Sequence, residues 1–433
     1  MQFPKTLISL FTLFALTSLI PAIGQNNYVI HCGTLIDGIS NRPQKNMTIK
    51  VTGNTITGIE SGYTTEPGSK VIDLTDHTIM PGLIDCHVHI EHEFSPSVYM
   101  ERVTLNEPDV AFNSVSFADV TLNAGFTTVR DLGGRGVNTA LGKATSRGKI
   151  AGPRVVSCNK SLAVTGGHAD PTNGLKKELM GFPGPEQGVC DGVDECRKAV
   201  RHQVKMGADV IKITATGGVL SLARDGKLPA FREDEIRAIV ETAADHGLKV
   251  AAHAHGDEGM QRAVRGGVAS IEHGTMMSEE TMDLMKEYGT YYVPTITAGK
   301  AVADSALVPG FYPKMVVPKA LEIGPLIQST FKKAYEKGVK IAFGTDAGVF
   351  PHGLNALEFI YMTEVGMAPM EAIQSATSVA ADLLGMTDKI GSIEKGKLAD
   401  LVAVKGDPLT DISLMMDIKF VMKDGNVYKA ELE

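Results

Sequence analysis

The chain has 433 residues, 43% of them hydrophobic and 21% charged, so it can bury a large core and form one large domain plus a smaller one. These proportions argue against intrinsic disorder. The formal net charge of −8 and the absence of clustered lysine and arginine argue against nucleic acid as a partner, because phosphate binding requires concentrated positive charge.

Residues 1–24 have the pattern of a secretory signal peptide. Lys5 precedes an apolar run at 7–20, and the small residues Ala22 and Gly24 follow that run. We expect cleavage after Gly24 and export to the periplasm or the medium. No later segment reaches the ~20 apolar residues of a membrane span, so no membrane anchor is expected after cleavage.

Short β-like runs separated by turn residues occupy 27–81, and similar runs return near the C-terminus at 397–404 and 420–428. The first group predicts a small antiparallel sheet. Because the second group has the same pattern of short strands and turns, we expect 25–81 and 387–433 to pair into one β-sandwich domain that brackets the middle of the chain.

The middle of the chain, 82–386, alternates strand-like runs with helical patterns. Eight strand-like runs begin near Leu83, Thr127, Arg154, Asp209, Lys249, Ala269, Tyr291 and Lys340. Helical patterns occupy 194–206, 233–246, 257–265, 278–288, 355–365 and 370–384. Eight β-then-α units predict an α/β fold of the (β/α)8 TIM barrel type. The alternative, an open doubly wound sheet, would be expected to carry a glycine-rich phosphate loop after its first strand, and none is present here.

Polar side chains interrupt the apolar strands near their carboxyl ends, where a barrel of this kind holds its active site. On the first strand, His87 and His89 point to the same side because strand side chains alternate. The later strands contribute Lys212, His253, His273 and Asp346. Burying such groups without a partner is costly, and imidazoles with a carboxylate are the ligand set of zinc and similar divalent ions. The sequence therefore predicts a metal centre.

Lys212 lies in the apolar run 210–213, where an unpaired ammonium is almost never buried. One interpretation is an ion pair with Asp346 or Glu272. The other is carboxylation by carbon dioxide, which would make the side chain an anionic ligand with two oxygen atoms that can bridge two metal ions. Burial favours this reaction, because a buried lysine loses its proton more readily and only the neutral amine adds to carbon dioxide.

The chain resembles the metal-dependent amidohydrolase superfamily over essentially its whole mature length, and most closely the secreted branch of Xaa-Pro dipeptidases and related carboxypeptidase-like enzymes. The resemblance is carried by PGLIDCHVH, AGFTTVRDLGG, DGVDECRKAVRHQVKMGADVIKITATGGVLS, VAAHAHG, SIEHGT, FGTDAG and GSIEKGKLADLVAV, in this order. It implies a TIM barrel with a β-sandwich and two divalent metal ions, with zinc as the expected metal. The implied ligands are His87, His89, carboxylated Lys212, His253, His273 and Asp346.

The resemblance also implies hydrolysis of an amide bond, in a dipeptide or an N-acyl amino acid with a free C-terminal carboxylate. Two divalent ions would lower the pKa of a water molecule and polarise the scissile carbonyl, while Asp346 transfers the proton to the leaving amine. The formal charge of such a site is about one unit positive, which suits an anionic substrate. The predicted substrate contacts are His168, Arg224 and His255, although the first two could equally be ordinary loop residues.

Several alternatives stay open from the sequence. They are a cyclic-amide hydrolase resembling imidazolonepropionase, an ochratoxin-type hydrolase of N-acyl aromatic amino acids, and a non-catalytic barrel used for protein interaction. We expect a small-molecule substrate and a homo-oligomer. Cys190 and Cys196 are close enough in sequence to form a disulfide. The segment 181–188 is expected to lie over the barrel mouth, and His92 to be a loop residue rather than a ligand.

Overall fold

The computed structural model describes residues 27–223 and 225–432. The predicted signal peptide at 1–24 and the predicted substrate contact Arg224 lie outside these ranges. Within them, no helix combines the length and the apolar composition needed to cross a membrane.

The described residues form strands at both ends of the chain and alternating strands and helices between them. The strands are β1 (Asn27–Leu35), β2 (Gln44–Thr52), β3 (Thr55–Ser61), β4 (Lys70–Pro81), β5 (Leu83–Val88), β6 (Phe126–Asp131), β7 (Arg154–Ser157), β8 (Ile211–Thr214), β9 (Val250–Ala254), β10 (Ser270–His273), β11 (Tyr291–Val293), β12 (Leu401–Lys405), β13 (Ile418–Lys423) and β14 (Asn426–Ala430). The helices are α1 (Val98–Thr104), α2 (Glu107–Asn123), α3 (Val137–Ser146), α4 (Lys177–Met180), α5 (Gly192–Met206), α6 (Glu233–Ala244), α7 (Asp257–Arg265), α8 (Glu279–Tyr288), α9 (Ile296–Ala306), α10 (Val317–Ile323), α11 (Ile327–Glu336), α12 (Leu357–Glu364), α13 (Pro369–Ser375) and α14 (Ser378–Leu384).

One sheet of seven strands contains both ends of the chain, in the order β14-β13-β12-β4-β1-β2-β3. The two ends meet where β4 pairs antiparallel with β12. The expected antiparallel pattern is wrong at one pair, because β1 runs parallel to β4. The connection at 62–69 returns the chain to the starting end of β1 and so sets this direction. The strands expected to form a two-layer sandwich are one hydrogen-bonded sheet, which encloses a hydrophobic core of its own.

Two parallel sheets occupy the middle of the chain, one in the order β5-β6-β7 and the other in the order β8-β9-β10-β11. They confirm the predicted α/β class. Isolated parallel bridges lie at the sheet edges, between Leu162 and Ile213, Tyr292 and Ile341, and Val88 and Ala347.

The predicted eighth strand, which begins near Lys340, is irregular in the structure. It forms single bridges at Ile341 and Ala347 in place of a continuous ladder. Asp346 lies between these two bridges and adopts a left-handed backbone with φ of 62°, which interrupts the extended strand. The segment still holds its place in the sheet edge, since Phe343 O accepts a hydrogen bond from Cys86 N.

The predicted helices are present, except that 370–384 is divided into α13 and α14. The sequence did not indicate the 17-residue helix α2. Its apolar stripe is obscured, because Phe112 and Val120 are exposed while Ser114 and Thr121 are fully buried. A helix whose buried face carries hydroxyl groups gives a weak periodic signal.

Arg154 of β7 ties the parallel strands to the terminal sheet. One guanidinium nitrogen donates to Asp400 Oδ2 at 2.7 Å and to Thr128 Oγ1 at 2.8 Å, and the other donates to Asp424 Oδ1 at 2.6 Å. The Asp400 side chain is only 4% exposed. Burial raises the pKa of Asp400, and the positive charge of Arg154 opposes that rise.

Replacing Arg154 by Ala should destabilise the protein, because it leaves the Asp400 carboxylate buried without its partner. The expected loss is about 3 kcal/mol, visible as a lower melting temperature. Arg237→Ala is the matched control, since Arg237 pairs with Glu233 at 2.7 Å on the solvent-exposed side of α6. The control should melt close to the wild type. Equal melting temperatures for the two variants would contradict the prediction.

Candidate metal centre

The two histidines of the first parallel strand converge on Asp346. The Nε2 atoms of His87 and His89 lie 3.4 Å and 3.3 Å from Asp346 Oδ1. Each Nδ1 has another partner, Glu272 Oε2 at 2.9 Å for His87 and Gly133 O at 2.8 Å for His89. These outer hydrogen bonds fix the rings so that the Nε2 atoms face the carboxylate.

These three residues fit a divalent metal ion. Their candidate ligand atoms all lie within 4.8 Å of one another. Asp346 Oδ1 is buried and has no hydrogen-bond donor among the described residues. An orphaned buried acceptor is rare in folded proteins, and a cation beside it would satisfy both its charge and its lone pairs.

His273 lies next to this cluster and links it to His253. Its ring centroid is 4.9 Å from that of His87 and 4.7 Å from that of His253. His273 Nδ1 is hydrogen-bonded to Thr295 Oγ1 at 2.8 Å, and His253 Nε2 to Gly217 O at 3.0 Å. One nitrogen therefore stays available on each ring. Burial lowers the pKa of both histidines well below the ordinary value, which keeps the rings in the neutral, metal-binding form.

Lys212 is buried beside the histidines and forms no ion pair within 27–223 and 225–432. The ion pair with Asp346 or Glu272, one of the two interpretations of the sequence, is absent from this part of the chain. Glu272 is instead bonded to Arg130 and His87. Burial lowers the pKa of Lys212 to about 8, against the raising effect of the Glu272 and Asp346 charges. A fraction of the amine is therefore neutral near pH 7.

Sequence reasoning missed the role of Arg130, which is the cationic partner of Glu272. Arg130 is fully buried and donates to Cys86 O at 2.6 Å, to Ser270 Oγ at 3.1 Å and to Glu272 Oε1 at 2.8 Å. The available signal was a charged residue within the apolar strand TTVRDL. Its function is to hold the carboxylate that orients the His87 ring.

Three non-glycine residues at the site adopt left-handed backbones. They are His273 with φ of 70°, Thr295 with φ of 54° and Asp346 with φ of 62°. Such conformations cost free energy and persist where surrounding contacts enforce them. One enforcing contact is Glu358, whose buried carboxylate accepts hydrogen bonds from the N–H groups of Ile296 and Thr297. The strain turns the ends of the strands towards the same space.

That space is a cavity of about 1100 Å³ whose lining includes the predicted ligands. His168 lines it and stacks on His253 with ring centroids 4.4 Å apart. His168 Nδ1 is buried and unpartnered among the described residues. His255 also lines the cavity, with its Nδ1 2.9 Å from Thr275 Oγ1. His168 and His255, two of the three predicted substrate contacts, therefore lie beside the candidate metal centre.

Other predicted features have a smaller part in the site. Of the segment 181–188, only Gln187 lines the cavity. His92, expected to be an ordinary loop residue, lines the cavity and stacks on His89 at 5.5 Å. Cys190 and Cys196 are free and buried, with their sulfur atoms 3.4 Å apart.

The chain is similar to known proteins over most of its length. The model of the Amidohydrolase family matches residues 78–428. A solved structure of a Xaa-Pro dipeptidase with bound methionine in the active site is 51% identical, with a TM-score of 0.91, and the match covers 94% of this chain and 100% of that chain. A prolidase complexed with N-methylphosphonate-L-proline is 32% identical, with a TM-score of 0.84 and the same coverage. Ochratoxinase from Aspergillus niger is 33% identical over 93% of this chain and 86% of its own length.

The metal-free protein should lose stability as the pH falls below 6.5, the ordinary pKa of histidine. Burial lowers the pKa of His255 to about 3 and those of His253 and His273 well below the ordinary value. At a pH between 6.5 and the lowered pKa of each buried ring, the unfolded chain binds protons that the folded chain does not. The free energy of unfolding should therefore fall by about 1.4 kcal/mol per pH unit for each such histidine.

The measurement is the melting temperature of chelator-treated protein between about pH 7 and pH 5, the range in which histidine titrates. His255→Gln should make the decline less steep, because one buried titrating ring has been removed. A melting temperature that stays constant over this range would contradict the prediction.

Proposed function

This chain belongs to the amidohydrolase family and is a hydrolase, and we propose that it cleaves the amide bond of dipeptides or N-acyl amino acids with a free C-terminal carboxylate. The observation that carries the proposal is the convergence of His87, His89 and Asp346 in the wall of a large cavity. A cavity of about 1100 Å³ can hold a molecule of dipeptide size. The similarity to Xaa-Pro dipeptidase and prolidase structures supports this class of substrate.

The proposed cofactors are two divalent metal ions, with zinc as the expected metal. His87, His89 and Asp346 would hold one ion, and His253 and His273 would hold the second, with carboxylated Lys212 shared between them. When bound, such ions polarise the scissile carbonyl and lower the pKa of the attacking water. The unpaired amine of Lys212 and the orphaned Asp346 oxygen support this arrangement.

In the proposed reaction, Asp346 accepts a proton from the attacking water and returns it to the leaving amine nitrogen. A carboxylate has two oxygen atoms, so one can bind the metal ion while the other takes the proton. His168 and His255 would contact the substrate, because both line the cavity next to His253. His168 is fixed by its stack on His253 and by the close approach of Gly218, where an added Cβ would lie 2.2 Å from the ring.

We further infer that the two parallel sheets and the segment from 340 form one (β/α)8 barrel. The isolated bridges at the three gaps between these elements support closure. The proposed domains keep the predicted bounds, 25–81 with 387–433 for the terminal unit and 82–386 for the barrel. Export, which rests on the pattern of 1–24, and a homo-oligomeric state are also proposals.

Hydrolysis of N-acyl aromatic amino acids is a second candidate function. One wall of the cavity is aromatic, with Phe94 lying 6.2 Å from Tyr99 between ring centroids, and Tyr312 packs against Phe94 at 6.5 Å. Aromatic rings pack favourably at such distances, so an aromatic substrate side chain would be stabilised there. The similarity to ochratoxinase supports this candidate.

A substrate panel separates the two candidates. Zinc-loaded protein should hydrolyse Xaa-Pro dipeptides if the first candidate is right, and N-acetyl-phenylalanine in preference to Xaa-Pro if the second is right. Asp346→Asn should abolish turnover of either class, because the proton acceptor is lost. Turnover of a cyclic amide such as an imidazolone, with no cleavage of either class, would refute the proposed function.

The Lys212→Ala variant tests the proposed bridging ligand. It should lose tightly bound metal together with activity, because the shared anionic ligand is removed. Acetate or propionate should restore part of both by supplying the missing oxygen atoms. The matched control is Lys160→Ala, which also removes a lysine that lines the cavity. A Lys212→Ala protein that retains two metal ions and near-normal turnover would rule out the carbamate.

A further inference from the structure

Arg102, which has no acidic partner among the described residues, forms part of the cavity wall. The short helix α1 places Tyr99 and Arg102 one turn apart, so their side chains share a face. The guanidinium carbon lies 5.2 Å from the centre of the Tyr99 ring and 5.8 Å from the centre of the Phe94 ring. Both distances are typical of cation–π contacts. The rings therefore hold the guanidinium in the wall without neutralising its charge.

No carboxylate neutralises Arg102 within the part of the chain that the structure describes. The donors of a second cavity arginine, Arg135, are already in use, because its guanidinium donates to the backbone oxygens of Leu105 and Glu101. Arg135 thus serves to fix the end of α1. Arg102 is exposed and lines the cavity that a substrate would enter.

A chain of ring contacts connects Arg102 to the candidate metal centre. Arg102 lies over the Phe94 ring, whose centroid is 5.6 Å from that of His92. His92 in turn stacks on the predicted ligand His89 at 5.5 Å. An anion bound at Arg102 would therefore lie close to the reacting end of the cavity.

We propose that Arg102 binds a carboxylate of the substrate and makes the enzyme selective for anionic substrates. This inference rests on the proposed function, since the carboxylate belongs to the dipeptide or N-acyl amino acid. The carboxylate bound by Arg102 is either the C-terminal carboxylate or an acidic side chain of the C-terminal residue. A planar guanidinium held by two rings offers two parallel donors, the geometry that a carboxylate accepts.

Two lysines in or near the cavity are less suited to this role. The Lys319 amine, on α10 beside the cavity, already donates to three backbone oxygens, those of Gly218, Ser221 and Ala223. Lys160 lines the cavity, but among the described residues no ring, carbonyl or carboxylate holds its amine. An unrestrained lysine loses more rotamer freedom on binding than a stacked arginine. Lys160 is therefore a suitable control.

The test compares Ala-Pro with Ala-Pro-amide, and Ala-Glu with Ala-Gln, on metal-loaded wild type, Arg102→Met, Arg102→Lys and Lys160→Met. Loss of a charge-assisted hydrogen bond should raise KM for the carboxylate substrate about 10- to 100-fold and change kcat less. The ratio of kcat/KM between acid and amide should collapse in Arg102→Met, recover partly in Arg102→Lys and stay at the wild-type value in Lys160→Met. If only the ratio of Ala-Pro to Ala-Pro-amide collapses, Arg102 binds the C-terminal carboxylate. If only the ratio of Ala-Glu to Ala-Gln collapses, it binds the acidic side chain.

Arg102→Met that keeps both wild-type ratios would overturn the inference while leaving the proposed function intact. Metal content and melting temperature establish that each variant is folded. If the wild type cleaves none of these substrates, the proposed function is wrong, and calorimetric titration with N-acetyl-proline and its amide decides on Arg102 separately. Weaker binding of the acid to Arg102→Met supports the inference, and equal binding to both proteins overturns it.

Discussion

The carboxylate of Glu272, held between Arg130 and His87, is the interaction on which the candidate site depends. It joins three parallel strands, because Arg130 lies on β6, Glu272 on β10 and His87 on β5. Arg130 also donates to Cys86 O, so the same side chain ties the backbone of β5. Removing either charged partner would leave the other buried without a counter-charge. That loss costs more free energy than the intact pair contributes to stability. The orientation of the His87 ring therefore follows from a charge network that is completely enclosed.

The backbone strain at the strand ends is supported by a second buried network. Asp85 accepts hydrogen bonds from the N–H groups of His87 and Thr345 and from the amide of Asn355. One of these contacts holds Thr345, the residue that precedes the left-handed Asp346. Because each donor and acceptor in this network is satisfied, the orphaned oxygen of Asp346 stands out, and an electrophile such as a metal ion is the partner it lacks.

The proposed metal ligands and the residues of the aromatic wall lie on different parts of the cavity. The predicted ligands come from strand ends that the buried networks hold in place, whereas Phe94, Tyr99 and Arg102 come from the segment between β5 and α2. Proteins similar to this chain include a Xaa-Pro dipeptidase and an ochratoxinase, which have different substrates. Such a separation would let the substrate vary while the metal centre stays the same, because the fold alone does not fix the substrate.

The sequence by itself determined the features that depend on neighbouring residues. Strand alternation placed His87 and His89 on one face, and polar side chains at strand ends identified the other predicted ligands. Only the tertiary structure decided the partner of Glu272, the parallel pairing of β1 with β4, and the positions of His92 and Arg102 in the cavity wall. Each of these depends on which distant segments meet. The physical reason is that periodicity encodes which side of an element is apolar, whereas a buried charge or an aromatic wall acquires its partners only when separate elements pack together.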